Sequence, residues 1–281
     1  SLDGRILFIY LLYALTFLLR RDAMCDRLAG RVINRKQGMK NIMMTIKPLT
    51  AVLLAGGLIS CGGDVKTNSD FTAVDPTVPV SDWKLVWSDE FDGASIDQRK
   101  WTFEVDCRGG GNQEKQCYTD SAENAFVSNG TLKIVAKPAE DGAPLPYTSA
   151  RLNSRYQGDW KYGRIEVRAK MPTGQGSWPA IWMMPTDEVY GGWPKSGEID
   201  IVEAVNLKTT NAEGVVESRV YGTLHYGRDF PGNVNSGKDY ALPNGANPAD
   251  NFNTYAIEWQ EGEIRWYVND YLYQTQQASR V

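Results

Sequence analysis

The sequence predicts an all-β fold, a sandwich of antiparallel sheets, for residues 82–281. Residues 164–171 alternate charged side chains with Ile, Val, Ala and Met, which is the pattern of a strand with one buried face. Residues 132–136 alternate in the same way after Asn129-Gly130, a dipeptide that favours a tight turn. No long segment with a 3.6-residue apolar period follows residue 61. Many short strands separated by Gly and Pro are typical of a β-sandwich.

A strand meander is predicted near the end of the chain, at 255–259, 264–269 and 271–276. Glu261-Gly262 and Asn269-Asp270 favour the two turns between these strands. The chain ends soon afterwards without a further strand pattern. We therefore expect that the domain lacks its C-terminal strands, which would leave sheet edges exposed.

The charge distribution argues against a nucleic-acid partner. Residues 1–60 hold nine Lys or Arg and three Asp or Glu, so the remaining residues carry a net charge of −10 within a total of −4. Phosphate contacts need an excess of Lys and Arg. The chain is also rich in aromatic residues, with nine Trp and fourteen Tyr. An acidic domain rich in Trp suits a neutral polymer, and we expect a polysaccharide substrate.

The N-terminal region contains a segment typical of protein export. Residues 39–60 combine Lys residues, a short apolar run and small residues, and Leu58-Ile59-Ser60-Cys61 matches the lipobox of bacterial lipoprotein signals. Cys61 would then be the lipidated first residue of the mature protein. The alternative is an ordinary secretory signal with a chance Cys. The apolar run is too short to span a bilayer, which takes about 20 residues.

The flanking segments complete the predicted domain organisation. Residues 1–38 begin with Ser and contain a second apolar run, and we interpret them as an upstream reading frame that precedes translation from Met39, Met43 or Met44. Residues 61–81 are polar and rich in Thr, Asp, Ser and Pro, as in a flexible linker. We expect an exported protein attached to the bacterial cell envelope, at the outer membrane or cell surface, through a lipid anchor only.

Two of the four cysteines lie close together in the predicted domain. Cys107 and Cys117 flank a Gly-rich loop. Export permits a disulfide between them, which we favour. The alternative is a pair of buried free thiols.

The most informative stretch is 198–203, in which three acids alternate with Ile and Val. Ile and Val are typical of a strand, where Asp and Glu are depleted. Glu198 and Asp200 would share one face, whereas Glu203 would point the other way in a regular strand. A one-residue β-bulge near Ile201-Val202 would return Glu203 to the acidic face.

This bulge would make the acids useful for catalysis. Glu198 and Glu203 would lie roughly 13 Å apart at Cα, at about 3.3 Å per residue, and side chains leaning inward would bring the carboxyl groups to roughly 5 Å. Retaining glycosidases have a separation of about 5–5.5 Å, whereas inverting enzymes need about 6.5–9.5 Å. Clustered negative charges also raise at least one pKa, which suits a general acid. The alternatives for this pattern are a solvated strand face and a calcium site.

A series of motifs extends from about residue 82 to the end of the chain. They are Trp87 to Gly93, Asn112 to Gln116, Tyr147 to Arg151, Gly163 to Lys170, Gly174 to Met183, Gly192-Trp193-Pro194, Gly197 to Glu203, and Gly222 to Gly227. In this order they resemble glycoside hydrolase family 16, and most closely its bacterial laminarinase (endo-β-1,3-glucanase) type. The resemblance implies a concanavalin A-like jelly roll of two antiparallel sheets with a substrate cleft on the concave face.

The resemblance also implies roles for the three acids. Glu198 would be the nucleophile, Glu203 the acid/base, and Asp200 would assist the nucleophile. The spacing of the motif, with Val202 as the extra residue, resembles the laminarinase branch of the family rather than the lichenase branch. That similarity favours β-1,3 linkages.

Three tryptophans are candidates for sugar contact, because an indole offers the largest flat apolar surface to a sugar ring. Trp178 and Trp182 share a face if their segment is extended, and Trp193 lies in a Gly/Pro loop just before the acids. The alternative for each is a place in the core.

Three polar residues are further candidates for substrate binding. Asn112, on the Gly-rich loop, would bond to sugar hydroxyls; the alternative is a turn residue. Arg151 would do the same, or it pairs with an acid. His225 is the only His in the chain, and its surrounding motif resembles a cleft position of the family; the alternative is a structural His.

Family members often carry a structural calcium, and the resemblance implies Glu90 and the carbonyl of Gly130 as its ligands here. Hard cations prefer oxygen ligands. We expect no cofactor in the chemistry itself.

We therefore expect a monomeric enzyme that cleaves β-1,3-glucan internally, with retention, by a double displacement on two glutamates. The alternatives are a mixed-linkage β-1,3/1,4-glucanase, a transglycosylase, a galactan hydrolase acting on agar or carrageenan, and a non-catalytic glucan-binding lipoprotein. The last of these would lack the two glutamates.

Overall fold

The computed structural model describes residues 7–15, 26–35 and 83–278. The predicted signal (39–60), its Cys61 and the linker (61–81) lie outside the described residues. Eighteen strands fall within them. In chain order they are β1 (Leu7–Leu15), β2 (Asp26–Arg35), β3 (Trp83–Asp89), β4 (Thr102–Glu104), β5 (Gln116–Tyr118), β6 (Ala125–Val127), β7 (Leu132–Ile134), β8 (Lys137–Pro138), β9 (Tyr147–Ser149), β10 (Arg151–Asn153), β11 (Gly163–Ala169), β12 (Ser177–Pro185), β13 (Glu198–Glu203), β14 (Arg219–Gly227), β15 (Asn233–Ala241), β16 (Asn253–Gln260), β17 (Glu263–Val268) and β18 (Tyr271–Gln277).

Helical structure is limited, in the part of the chain that the structure describes, to two 3-10 turns, Gly109–Gly111 and Pro243–Gly245. No helix among these residues is both long and apolar enough to cross a membrane. The all-β prediction is therefore confirmed.

Two antiparallel sheets make up most of the domain. The seven-stranded sheet has the spatial order β15-β14-β13-β12-β1-β10-β4. The eight-stranded sheet has the order β18-β17-β16-β11-β2-β7-β6, with β3 also paired to β2. A short third sheet, β5-β9-β8, contains one parallel pair.

The main core lies between the two large sheets. The predicted alternation on β11 is confirmed, because Ile165, Val167 and Ala169 are almost fully buried. They belong to one cluster with Met183 of β12 and Ile199 of β13, from the other sheet. Burying apolar area of this kind is the main term that stabilises a sandwich.

The two faces of β12 have different neighbours. Ile181 and Met183 belong to the main core, whereas Trp178, Ala180 and Trp182 form a separate cluster. Successive side chains of a strand point to opposite faces. The seven-stranded sheet therefore has an outer face lined by Trp178 and Trp182, and this outer face carries the candidate site.

From the sequence, residues 1–38 are expected to lie outside the domain, whereas the structure places β1 and β2 within its two large sheets. β1 pairs with β12 and β10, and β2 pairs with β11, β7 and β3. The backbone N–H and C=O groups of an interior strand bond to neighbours on both edges, and both strands have such neighbours here. The expectation that translation begins at Met39 or later stays a prediction.

The predicted C-terminal meander is confirmed, since β16, β17 and β18 pair in succession. Elsewhere, Cys107 and Cys117 form a disulfide. This bond closes the Gly-rich loop next to β5.

Candidate active site

A bulge in β13 interrupts the pairing of this strand with both neighbours. Against β12, Trp182 pairs with Asp200 and Ile181 pairs with Val202, so Ile201 is the extra residue on that side. The predicted bulge at 201–202 is thus confirmed, with Ile201 rather than Val202 as the extra residue against β12. An inserted residue shifts the side-chain alternation by one position. Glu203 therefore shares the outer face with Glu198 and Asp200.

Glu198 is half-buried at the start of β13 and has two hydrogen-bond donors. Nε1 of Trp193 donates to its Oε2, and the side chain of Asp200 also bonds to it. Burial raises the pKa of Glu198, while the charge of His225 and these two hydrogen bonds act in the opposite direction. The net shift in the pKa of Glu198 is upward, and both donors limit it by stabilising the carboxylate form, which is the form that a nucleophile needs.

Asp200 is only 2% exposed. Burial raises its pKa well above the ordinary value, and the negative charges of Glu203 and Glu198 raise it further. The hydrogen bond to Glu198 raises the pKa of Asp200 and lowers that of Glu198, so Asp200 is the donor. The raised pKa favours the neutral form of Asp200, which can donate to Glu198.

Glu203 is half-buried, and Nε1 of Trp178 donates to its Oε1 over 2.6 Å. Burial raises the pKa of Glu203, and the charge of Glu198 raises it again, whereas the Trp178 bond lowers it. The net shift is upward, as a general acid requires.

His225 lies on β14, directly opposite Glu198. Its Nδ1 is 2.9 Å from Oδ1 of Asn235, an oxygen that also accepts from Asn233 over 2.7 Å. An amide oxygen only accepts, so Nδ1 of His225 carries the hydrogen. Nε2 lies 3.0 Å from Oδ2 of Asp200 without the alignment of a hydrogen bond.

The three predicted tryptophans surround the acids. Trp178 and Trp182 are half-buried and pack on Tyr118 and Ala180, whereas Trp193 is 42% exposed. Two of the indoles do more than offer a flat surface, because the N–H of Trp178 holds Glu203 and that of Trp193 holds Glu198. Sequence reasoning missed this role, since no spacing rule connects these tryptophans to particular acids.

Arg151 is buried and pairs with acids, which was the alternative to sugar contact. Its guanidinium is 3.4 Å from Glu104 and 3.7 Å from Glu114, and it donates to the Tyr118 hydroxyl over 3.1 Å. The guanidinium also lies over the ring of Trp182, 5.5 Å from its centroid. Arg151 therefore holds Tyr118 and Trp182 in place beneath the outer face. Glu114, only 2% exposed, lies in the Asn112 to Gln116 motif and was not singled out from the sequence.

Asn112 is exposed and ends the Gly109–Gly111 turn, where its backbone N–H donates to the carbonyl of Gly109 over 2.9 Å. This backbone bond fits the alternative, a turn residue. Asn112 lies within the loop that the Cys107–Cys117 disulfide closes.

Glu90 and Gly130 are both exposed, and Gly130 has a φ of 66°. Their oxygens have the chemistry that calcium prefers, but two donors fall short of the six to eight that it takes. A calcium site here would need further oxygen ligands, and it stays a prediction. Glu198, Asp200 and His225 offer three ligand atoms within 4.8 Å of one another. The contacts above already engage all three side chains, and we treat them as an acid–base group.

The fold and the site together define a glycosidase of the two-carboxylate kind, and comparison with known proteins gives the family. The chain belongs to the glycosyl hydrolases family 16, whose model matches residues 112–281. It is similar to solved jelly-roll structures, among them the laminarinase from Rhodothermus marinus, with a TM-score of 0.60 and 43% identity over 69% of this chain and 74% of that one. The predicted family and fold class are confirmed.

Two curated relatives are informative about length as well as similarity. Glucan endo-1,3-beta-glucosidase A1 of Niallia circulans is 38% identical over 221 residues, which cover 73% of this chain and 31% of that protein. Beta-glucanase of Rhodothermus marinus is 44% identical over 195 residues, which cover 68% of this chain and 64% of that protein. The matched region thus spans about a third of the first relative and just under two thirds of the second.

Proposed function

We propose that this protein cleaves β-1,3-glucan internally, with retention of configuration, by a double displacement. One observation carries the proposal: the β13 bulge puts two glutamates on one face, each held by its own indole N–H. A protonated Asp200 lies between them. The names of the relatives support a β-1,3-linked substrate of the laminarin type.

In the first step, a carboxylate oxygen of Glu198 attacks the anomeric carbon while the protonated Glu203 gives its proton to the departing glycosidic oxygen. The bond to the leaving sugar breaks and a glycosyl ester forms. In the second step, Glu203, now ionised, takes a proton from water, whose oxygen attacks the same carbon and releases Glu198. Two inversions give net retention.

Asp200 and the two tryptophans fit these steps. The proton on Asp200 stabilises the charge of Glu198 before attack and again when the ester breaks. The indole N–H groups fix both carboxyl groups in direction, and such preorganised donors lower the barrier most effectively.

The test is to follow laminarin digestion by proton NMR, which reports the anomer formed first. We expect the β-anomer first and a series of oligosaccharides as products. Glu198→Ala should abolish turnover and keep laminarin binding, whereas Glu213→Ala, at an exposed loop position, should change neither. First appearance of the α-anomer, or turnover by Glu198→Ala, would contradict the proposal.

Digestion of lichenan, agarose and carrageenan alongside laminarin tests the alternatives. Cleavage of lichenan at a comparable rate would favour a mixed-linkage enzyme, and products longer than the substrate would favour transglycosylation. Turnover of a galactan in place of laminarin would contradict the proposed β-glucan substrate.

We also propose that the protein is exported, attached by a lipid at Cys61, and monomeric. The lipobox sequence supports the anchor, and the Cys107–Cys117 disulfide supports an oxidising compartment. Cells fed an alkyne-bearing fatty acid should label the wild type but not Cys61→Ser. Equal labelling of both would contradict the lipid anchor. The monomeric state is tested separately, by light scattering of the purified protein.

A further inference from the structure

The bulge in β13 has a partner in the opposite sheet. Nε1 of Trp266, on β17, donates to the backbone carbonyl of Asp200 over 2.8 Å. Carbonyl groups in a regular ladder lie in the plane of the sheet and bond to neighbouring strands. A carbonyl that reaches a side chain of the other sheet has turned out of its ladder and into the sandwich interior. The turned peptide is therefore the one that follows Asp200.

This carbonyl needs a partner because it is buried. A buried backbone oxygen without a hydrogen bond is costly, and such groups are nearly always satisfied in native proteins. Trp266 is fully buried, and its backbone is held between Ile257 of β16 and Gln274 of β18. The indole is thus a donor whose position is fixed by strands on both sides.

The position opposite the bulge makes room for the indole. Asp200 pairs with Thr223 and Glu203 pairs with Tyr221, so Ile201 and Val202 together face Gly222. A Cβ at position 222 would lie 2.5 Å from Cδ1 and 2.8 Å from Nε1 of Trp266, and it would also overlap the Tyr273 hydroxyl. These distances are shorter than van der Waals contact. Only Gly at this position lets Trp266 reach the carbonyl.

Tyr273 belongs to a second irregularity that faces the first. On β18, Gln274 pairs with Trp266 and Leu272 pairs with Tyr267, so Tyr273 is the extra residue. Its hydroxyl reaches toward Gly222 from the eight-stranded sheet. The two interrupted ladders thus meet at Gly222 across the core.

We propose that Trp266 is a positioning residue for the reaction, with Gly222 providing its space. By holding the turned peptide of Asp200, the indole N–H sets the twist of the bulge and hence the direction of Glu203 relative to Glu198. It touches neither the substrate nor a reacting atom. The inference rests on the proposed function, because it assigns the direction of Glu203 to a residue in the opposite sheet.

Trp266→Phe keeps a buried ring and removes the donor, and Trp259→Phe is the matched control. Trp259 is a buried core residue of the same sheet that meets Tyr162 edge-on, at 5.0 Å between ring centroids, and it takes no part in the bulge. We expect Trp266→Phe to lower kcat on laminarin about tenfold or more with KM changed less than twofold. Trp259→Phe should leave both constants within twofold, even if both variants melt at lower temperature.

Comparing laminarin with an activated glycoside distinguishes a misplaced Glu203 from a general loss of structure. A dinitrophenyl laminaribioside has a leaving group that needs no proton. Trp266→Phe should therefore form the glycosyl-enzyme from it at nearly the wild-type rate, as seen in the pre-steady-state burst, and azide should restore turnover. If Trp266→Phe folds poorly, replacement of the indole by the isosteric benzothiophene removes the N–H without changing the shape.

Equal kinetics for Trp266→Phe and Trp259→Phe, or equal losses on laminarin and on the activated glycoside, would overturn the inference. Failure of the wild type on laminarin would instead count against the proposed function. In that event the same comparison of variants is made on whichever polysaccharide the wild type cleaves.

Discussion

Trp178 and Glu203 are joined by a hydrogen bond in which the indole Nε1 donates to Oε1 over 2.6 Å. Trp193 and Glu198 are joined in the same way on the other side of Asp200. Each indole stabilises the ionised form of one glutamate, and the two glutamates need different protonation states in the first step. Removing each bond should therefore change a different limb of the pH profile of kcat/KM.

Trp178→Phe should raise the pKa of Glu203, because it removes a donor to the carboxylate. Since Glu203 must be protonated for the first step, the alkaline limb of the pH profile of kcat/KM should move to higher pH. We expect a shift of about one unit, because a hydrogen bond to a charged group contributes roughly 1.5 kcal/mol and one pKa unit is about 1.4 kcal/mol. An unmoved alkaline limb would show that this bond does not tune the acid.

Trp193→Phe is the matched variant for the other glutamate. It should raise the pKa of Glu198, so that the acid limb of the same profile moves to higher pH by a similar amount. The profile of kcat/KM from pH 3 to 9 measures both limbs in one experiment. Movement of the acid limb in Trp178→Phe and of the alkaline limb in Trp193→Phe would mean that the roles of Glu198 and Glu203 are exchanged.

Asp200→Asn should retain more activity than Asp200→Ala. Burial and the neighbouring acids raise the pKa of Asp200, which favours the protonated form that donates to Glu198, and an amide N–H can replace this donor. We expect a loss of about 10²-fold for Asp200→Ala, as for removal of one preorganised donor, and a clearly smaller loss for Asp200→Asn. Steady-state kinetics on laminarin decide the point, and equal losses would mean that Asp200 acts as an anion.

Asp200 should also make the free energy of unfolding depend on pH. Its folded-state pKa is raised above the ordinary value of 3.8, so the folded protein binds this proton more tightly than the unfolded chain. Stability from this group is complete below the unfolded pKa and is lost as pH rises toward the folded pKa. Asp200→Asn removes the titration, so its Tm relative to wild type should rise as the pH increases above about 4, the ordinary pKa range of an Asp. A Tm difference that is constant with pH contradicts the protonated state.

Phe230 extends the aromatic surface beyond Trp193. The two rings lie 6.2 Å apart, Phe230 is 70% exposed, and the adjacent Asp229 is tied to Lys195 over 2.9 Å. Phe230→Ala should raise KM for long laminarin chains about fivefold, with kcat and the constants for short oligosaccharides unchanged, since aromatic stacking contributes roughly 1 kcal/mol. Leu85→Ala, at an exposed position on β3, is the control. An equal rise in KM for short substrates would place Phe230 next to the reacting sugar instead.

Much of the site could be predicted from the sequence because it depends on local alternation. The six residues of β13 are enough to place two acids on one face, to require a bulge for the third, and to locate that bulge within one residue. The same holds for β11 and for the C-terminal meander, where period-two patterns coincide with buried faces.

The rest depends on contacts between residues that are distant in the chain, and no local pattern encodes them. Trp178 and Glu203 are neighbours only because β12 and β13 pair, and Trp266 meets Asp200 only because two sheets pack. Arg151 was the least predictable residue, since a buried guanidinium among Glu104, Glu114 and Tyr118 looks the same in sequence as one exposed to substrate. The insertion of β1 and β2 into the sheets was likewise not predicted, because pairing partners cannot be read from an apolar run alone.

The bond from Trp266 to the carbonyl of Asp200 also bears on how the enzyme fails when it is heated. Among the strands that the structure describes, Trp266 lies one strand from β18, the last of its sheet, and the ends of a sheet open before its centre does. Opening there would release the carbonyl while the strands around the acids are still paired. We therefore expect catalytic activity to be lost at a lower temperature than the circular-dichroism signal. The contact that limits the working temperature would then lie in the sheet opposite the candidate site.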